Sequence, residues 1–318
     1  MVKDGKEFTA LQGYIGREYA RASGETAEVA DAIYEHYLPR FAGDNIPRGD
    51  ASTILALADK IDTISGCFVN GLEPSGSQDP YALRRQAVGV VRILAAKRAP
   101  LSLPEAIERS VSLFAGSPKA AADNRTKLLA ALRDFYAQRM YAMLRGDGAD
   151  HDLVAAILAS PWEYPHAVAD MVAELAALRK SGELAPFVLA MKRVTNIIPR
   201  SLREGFTYDG GMKALEALAA GNVADLGFSS ELFAVDAERK LADEVSRASK
   251  ELLEAKRAGE IQRALGILRR IVPYVNKFFE DVLVNCEDEK MRDNRIAFLA
   301  SSYRAFMLFC DFSQIAGE

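Results

Sequence analysis

The sequence predicts a nearly all-α protein, and three observations carry that reading. Apolar residues recur at alternating spacings of about three and four in separate stretches: Ile54, Leu57, Ile61, Ile64 and Phe68; then Leu83, Ala87, Val90, Val91 and Leu94; then Ile296, Leu299, Tyr303, Phe306 and Cys310. Such spacing lines one face of a helix with side chains for a core. Ala-rich stretches such as residues 167–176 (AVADMVAELA) favour helix by propensity. No series of alternating apolar and polar runs marks out strands.

The boundaries follow from the breaks. Residues 71–80 form a turn-rich Gly/Pro/Ser loop, and Asp79 followed by Pro80 predicts a helix start there. Asp can accept from the orphan N–H groups of the first turn, and Pro at the first helical position loses no hydrogen bond. Arg84 and Arg85 then lie near the mouth of that helix. Further breaks fall at residues 99–104, at 116–118, in the polar loop GDGADHD (146–152) and in the glycine-containing segment 201–227. They predict a helical unit over 1–115, a connecting helical unit over 116–190 and a C-terminal bundle over 191–318.

With 318 residues the chain can bury a sizeable core. A net charge of −4 gives no global pull toward nucleic acid, so any polyanion-binding face must be local. Cys67, Cys286 and Cys310 are widely spaced, without metal-ligand spacing, and read as buried thiols in a reducing cytosol. The opening MVKDGKEFTALQG is charged and lacks the apolar stretch of a signal peptide. No apolar run approaches the roughly 18 residues a membrane span needs. The expectation is a soluble cytoplasmic chain with no membrane partner.

Only three histidines are present, His36, His151 and His166. The dipeptide His151-Asp152 cannot alone fill a metal's coordination sphere, and in its Gly/Asp loop it reads as polar surface. Asp59 and Asp62, three apart, share a helix face. Asp59 either marks the last surviving ligand position of an HD-type helical domain or serves as an ordinary ion-pair or capping group. There is no G-x-x-x-x-G-K-[ST], and Gly205, Gly210 and Gly211 do not follow a strand as a dinucleotide fingerprint would. No catalytic residue and no metal ligand is predicted.

Basic positions offer more. Residues 239–270 hold nine Lys or Arg against five Asp or Glu, a local excess of cations that suits a polyanion backbone or else a solvated helix face. Within it Lys256, Arg263 and Arg270 are seven apart, which keeps them on one side if a single helix carries them. Lys192, Arg193 and Asn196, followed by Arg200 and Arg203, form a second cluster.

Several ordered segments point to a family. LQGYIGREYA (11–20), EHYLPRFAGDNIP (35–47), ADKIDT with GSQDPYALRR (58–85), KRVTNI (192–197) and FFEDVLVNCEDEKMRDNRIAFL (278–299) span nearly the whole chain. Together they resemble the C-terminal portion of the bacterial glycyl-tRNA synthetase β subunit. The resemblance implies a multi-helix HD-like module (its later part, 1–115), connecting helices (116–190) and a C-terminal helical-bundle anticodon-binding domain (191–318). It implies tRNA recognition in support of ATP-dependent glycine attachment by an α2β2 enzyme, whose activating site lies on the separate α subunit. ATP and Mg would serve the whole enzyme, with no cofactor bound by this part and no DNA partner. The tRNA-binding candidates are then Lys192, Arg193, Asn196, Lys256, Arg263, Arg270, Asn294, Arg295, Arg84 and Arg85. Arg295 has an alternative, an ion pair inside the bundle with Asp281, Glu287 or Asp288. Arg84 and Arg85 could instead pair with Asp59 and Asp62. Two rival functions stay open at this point, an HD-type metal phosphohydrolase and a helical scaffold that docks the α subunit without touching RNA.

Overall fold

The computed structural model describes residues 11–41, 43–117, 122–203 and 208–316. Residues 1–10, Pro118 and Gly205, which entered the sequence reading, lie outside them. Fourteen α-helices and no strand occur among the described residues, as the periodicity predicts. The chain divides into two compact units. The first holds residues up to Gly146 together with Glu163–His166, the second Asp147–Trp162 and residues from Ala167 onward. The division falls within the span 116–190.

The first unit contains α1 (Tyr14–Ala22), α2 (Ala27–Glu35), α3 (Asp50–Val69), α4 (Leu83–Lys97), α5 (Leu103–Leu113) and α6 (Ala122–Gly146). Helix α3 is its hub and packs against α2, α4, α5 and α6. Buried Glu35 accepts from the backbone N–H groups of Arg48 and Gly49 and so closes the entry to α3. Leu57, Ile61, Ile64 and Phe68 are buried as their spacing predicts, but Ile54 is 68% exposed. Buried Thr53 takes the inward position in that turn, leaving Ile54 at the edge of the stripe.

The Asp79 carboxylate accepts from the N–H groups of Leu83 at 2.7 Å and Arg84 at 3.0 Å, so it caps α4. The helix nevertheless starts at Leu83 rather than at Pro80, because Ala82 turns left-handed (φ 53°) in between. Leu83, Ala87, Val90, Val91 and Leu94 are fully buried along α4. Gly89 lets α4 close on α3: a Cβ there would stand 3.3 Å from Cε of Lys60.

Lys60 itself is only 4% exposed and donates to the carbonyl of His36 at 2.5 Å. Burial pushes its ammonium down to about 8, against which the neighbouring Asp59 charge is a smaller, opposing effect. Between that pH and the ordinary lysine value of 10.5 the unfolded chain holds the proton and the folded chain has released it. Stability therefore rises with pH across this window. The expected gain is about 2–3 kcal/mol, read by urea denaturation at pH 7.5 and 9.5. Lys60→Met should lose most of the rise. Asp59 and Asp62 lie exposed on the outer side of α3.

The second unit contains α7 (His151–Leu158), most of α8 (Pro165–Lys180), α9 (Leu184–Ile197), α10 (Arg200–Arg203), α11 (Tyr208–Ala220), α12 (Asp236–Ala258), α13 (Ile261–Asp281) and α14 (Glu289–Met307). Helices α12 and α13 form an antiparallel pair turned by Gly259, whose φ of 69° suits a residue without a Cβ. Helix α11 packs on α12 and α14. The rings of Phe228, Phe233 and Phe278 surround Phe298 of α14 at centroid distances of 5.2, 5.4 and 6.4 Å.

The His151-Asp152 dipeptide starts a helix rather than sitting in a loop, and while His151 is exposed as expected, Asp152 is partly buried. His151 opens α7, and Asp152 is gripped by Arg179 at 2.5 and 3.0 Å and by the N–H of Ala316 at 2.7 Å. The site is partly buried, which works against the charge, but these bonds hold the Asp152 carboxyl down at about 2. Its role is to tie α7, α8 and the chain end together. The thiols also depart from expectation: Cys310 is buried, while Cys67 and Cys286 are only partly so. Among the described residues no three His, Cys, Asp or Glu side chains converge as a metal site. No described helix is long and apolar enough to cross a membrane.

Candidate nucleic-acid interface

The cationic stripe expected at Lys256, Arg263 and Arg270 does not form. Lys256 belongs to α12, and Arg263 and Arg270 belong to α13 beyond the turn at Gly259. The seven-residue spacing has no meaning across a reversal of the chain. Both arginines are also occupied. Arg263 bonds Glu254 at 2.8 Å and Glu260 at 2.9 Å. Arg270 bonds Glu251 at 2.7 Å and the buried Glu244 at 2.7 Å. Those partners hold the Arg270 guanidinium above its ordinary value, hydrogen bonding to Glu251 first and to Glu244 second. Lys256 sits over the Phe309 ring, 5.5 Å from its centroid. The two arginines tie α13 to α12. Arg270→Ala is therefore expected to cost about 1–2 kcal/mol in thermal unfolding, since Glu244 keeps only Arg247. The same change should leave RNA affinity within about twofold in a binding titration.

Asn294 and Arg295 are likewise withdrawn from any ligand. Both are 5% exposed. The Asn294 amide accepts from the N–H of Ser229 at 2.7 Å and donates to its carbonyl at 3.1 Å. Arg295 pairs with Glu238 at 2.7 Å and donates to the carbonyl of Leu283 and to Sγ of Cys286. Glu238 also accepts from the N–H groups of Ala234 and Val235, closing the start of α12. The intra-bundle ion pair is thus the correct alternative, although its partner is none of Asp281, Glu287 or Asp288.

What stays at the surface is the outer face of α9. Leu184, Phe187, Val188, Met191 and Val194 turn inward at helical spacing and are buried. Phe187 meets Phe312 at 4.1 Å between ring centroids, and the opposite side of the helix carries Leu189, Arg193 and Asn196 to solvent, with Lys192 half-buried. Helix α9 packs beside α13, held at one end by the ion pair of Glu183 with Arg269. Further along, Arg193 donates to the side-chain carbonyl of Asn276 at 3.1 Å. Asn276 was not among the sequence candidates, because nothing in YVNKFF distinguishes it. Lys192, Arg193, Asn196 and Asn276 combine cations with amides that can donate and accept. Such a set can hold phosphates and address the edges of unstacked bases. Arg84 and Arg85 belong to α4 of the first unit.

An all-helical fold with a cationic, amide-bearing helix face has the chemistry that nucleic-acid recognition uses. Residues 211–307 match the family model described as DALR anticodon binding domain. Residues 1–159 match the model described as glycyl-tRNA synthetase beta subunit, and the chain belongs to that family. It is 36% identical over 310 residues to the glycine–tRNA ligase beta subunit of Syntrophotalea carbinolica, covering 98% of this chain and 41% of that protein. It is also 36% identical over 313 residues to the corresponding subunit of a Geobacter species, with 98% and 41% covered. For Acidithiobacillus ferrooxidans the identity is 35% over 312 residues, with 98% and 42% covered. The chain thus spans about two fifths of the length of these curated relatives.

Proposed function

We propose that this chain is the tRNA-recognition portion of a glycyl-tRNA synthetase β subunit. In this reading the second unit takes the anticodon loop of the glycine tRNA. It thereby supports ATP- and Mg-dependent glycine attachment by a cytoplasmic α2β2 enzyme whose activating site is on the α subunit. The observation that carries the reading is the outer face of α9, where Lys192, Arg193 and Asn196 lie beside Asn276 of α13. The α13 part of this face falls within the span that matches an anticodon-binding domain. Cations there would neutralise loop phosphates, and the amides would meet base edges. The helix cannot present a nucleophile with its base, so its contribution is binding and orientation.

The test is titration of this chain with glycine tRNA across a salt series, beside a tRNA changed only in its anticodon. The expected result is binding that weakens steeply with salt and is at least about tenfold poorer for the altered tRNA. Equal binding of both tRNAs would remove anticodon reading, and no binding would remove the RNA reading altogether.

A further inference from the structure

The first unit carries a cationic cluster, built around the candidates Arg84 and Arg85, that the α9 face does not include. Asp79 spends both carboxylate oxygens on the backbone N–H groups of Leu83 and Arg84. Arg84 and Arg85 follow directly, half-buried and exposed, and neither guanidinium has an ion pair or a side-chain hydrogen bond among the described residues. Helix α6 packs against α4, and Arg139 on it lies within electrostatic range of Arg84. Arg139 lies flat over the Phe135 ring at 4.0 Å and donates to the carbonyl of Phe135 and to the side chain of Gln138. Burial first, and the Arg84 charge second, hold the Arg139 guanidinium below its ordinary value, with Asp79 opposing. The turn before α4 is pinned by Gln86, which donates to the carbonyl of Tyr81, and the Tyr81 side chain is 49% exposed.

We propose that Arg84, Arg85 and Arg139, with exposed Tyr81 in the preceding turn, form a second RNA contact that grips the phosphodiester backbone of the tRNA without reading sequence. The proposal rests on the tRNA reading above and extends it to the first unit. The one carboxylate nearby, that of Asp79, is committed to two backbone N–H groups, and a phosphate relieves the remaining repulsion between Arg84 and Arg139 by accepting from two guanidinium forks at once. An exposed ring in the turn that leads into a cationic helix start can also accommodate an unstacked base of any identity. A docking protein would be expected to meet the cluster with carboxylates, and the ring gives it less to do.

The experiment uses the whole chain and the pair of tRNAs named above. Arg84→Glu with Arg85→Glu should lower affinity for glycine tRNA at least about tenfold and reduce the slope of log affinity against log salt by about two. The ratio between cognate and anticodon-altered tRNA should stay unchanged, because backbone contacts carry no base information. Arg84→Lys with Arg85→Lys should keep the salt slope, which guards against a folding artefact. Unchanged affinity and slope in the Glu variant, with anticodon discrimination intact, would overturn the proposal while the anticodon reading stands, and would assign the cluster to a protein partner. Absence of tRNA binding by the unaltered chain would overturn both.

Discussion

Arg295→Met is expected to destabilise the second unit by about 3–5 kcal/mol, because it strands Glu238 as an unpaired charge in the interior. Glu238 is fully buried, and Arg295 is its guanidinium partner at 2.7 Å. The loss extends to the Leu283 carbonyl and Sγ of Cys286, both of which Arg295 reaches. Chemical denaturation followed by circular dichroism measures it. The double variant Arg295→Met with Glu238→Leu should recover part of the loss, since removing both charges removes the desolvation penalty. Recovery stays incomplete because Glu238 also accepts from the N–H groups of Ala234 and Val235. A single variant as stable as the parent would show that the pair does not organise the bundle.

Phe298→Ala is the second large effect, about 3–5 kcal/mol. Its ring sits among Phe228, Phe233 and Phe278 and is 1% exposed, so truncation leaves a cavity that three rings cannot close without leaving their rotamers. The same denaturation measurement reads it. Combined with Arg295→Met one turn away, the costs should sum to less than their separate values, because both changes loosen the same contact of α14. Additive costs would mean that the charged and aromatic clusters hold the bundle independently.

The fold was legible where apolar spacing reports burial directly. The helix over Leu83–Leu94 needed only its periodicity, and Asp79 needed only its side-chain chemistry to be read as a cap. The start of that helix was not legible, since the left-handed Ala82 depends on the loop behind it. Ile54 was misplaced because the same spacing fits two neighbouring stripes, and only the packing of α3 chooses between them. The site was harder. A seven-residue spacing became a stripe only on the assumption of one helix, and the glycine that breaks it, Gly259, stood inside the run. The partner of Arg295 lies 57 positions away on another helix, beyond any local rule. Of the α9 face only the cluster of Lys192, Arg193 and Asn196 in KRVTNI was legible; the inward apolar stripe that turns it to solvent emerged from the packing. Asn276, which completes that face, has no signature apart from the packing of α13 beside α9.

The most direct measurement is the ratio of affinities for glycine tRNA and its anticodon-altered counterpart in a chain carrying Arg193→Ala and Asn196→Ala. Both side chains are exposed, so the substitutions should leave stability within about 0.5 kcal/mol. The account predicts that the ratio collapses toward one while residual salt-dependent binding persists through other cations. A ratio equal to that of the unaltered chain would contradict it and place anticodon reading away from α9.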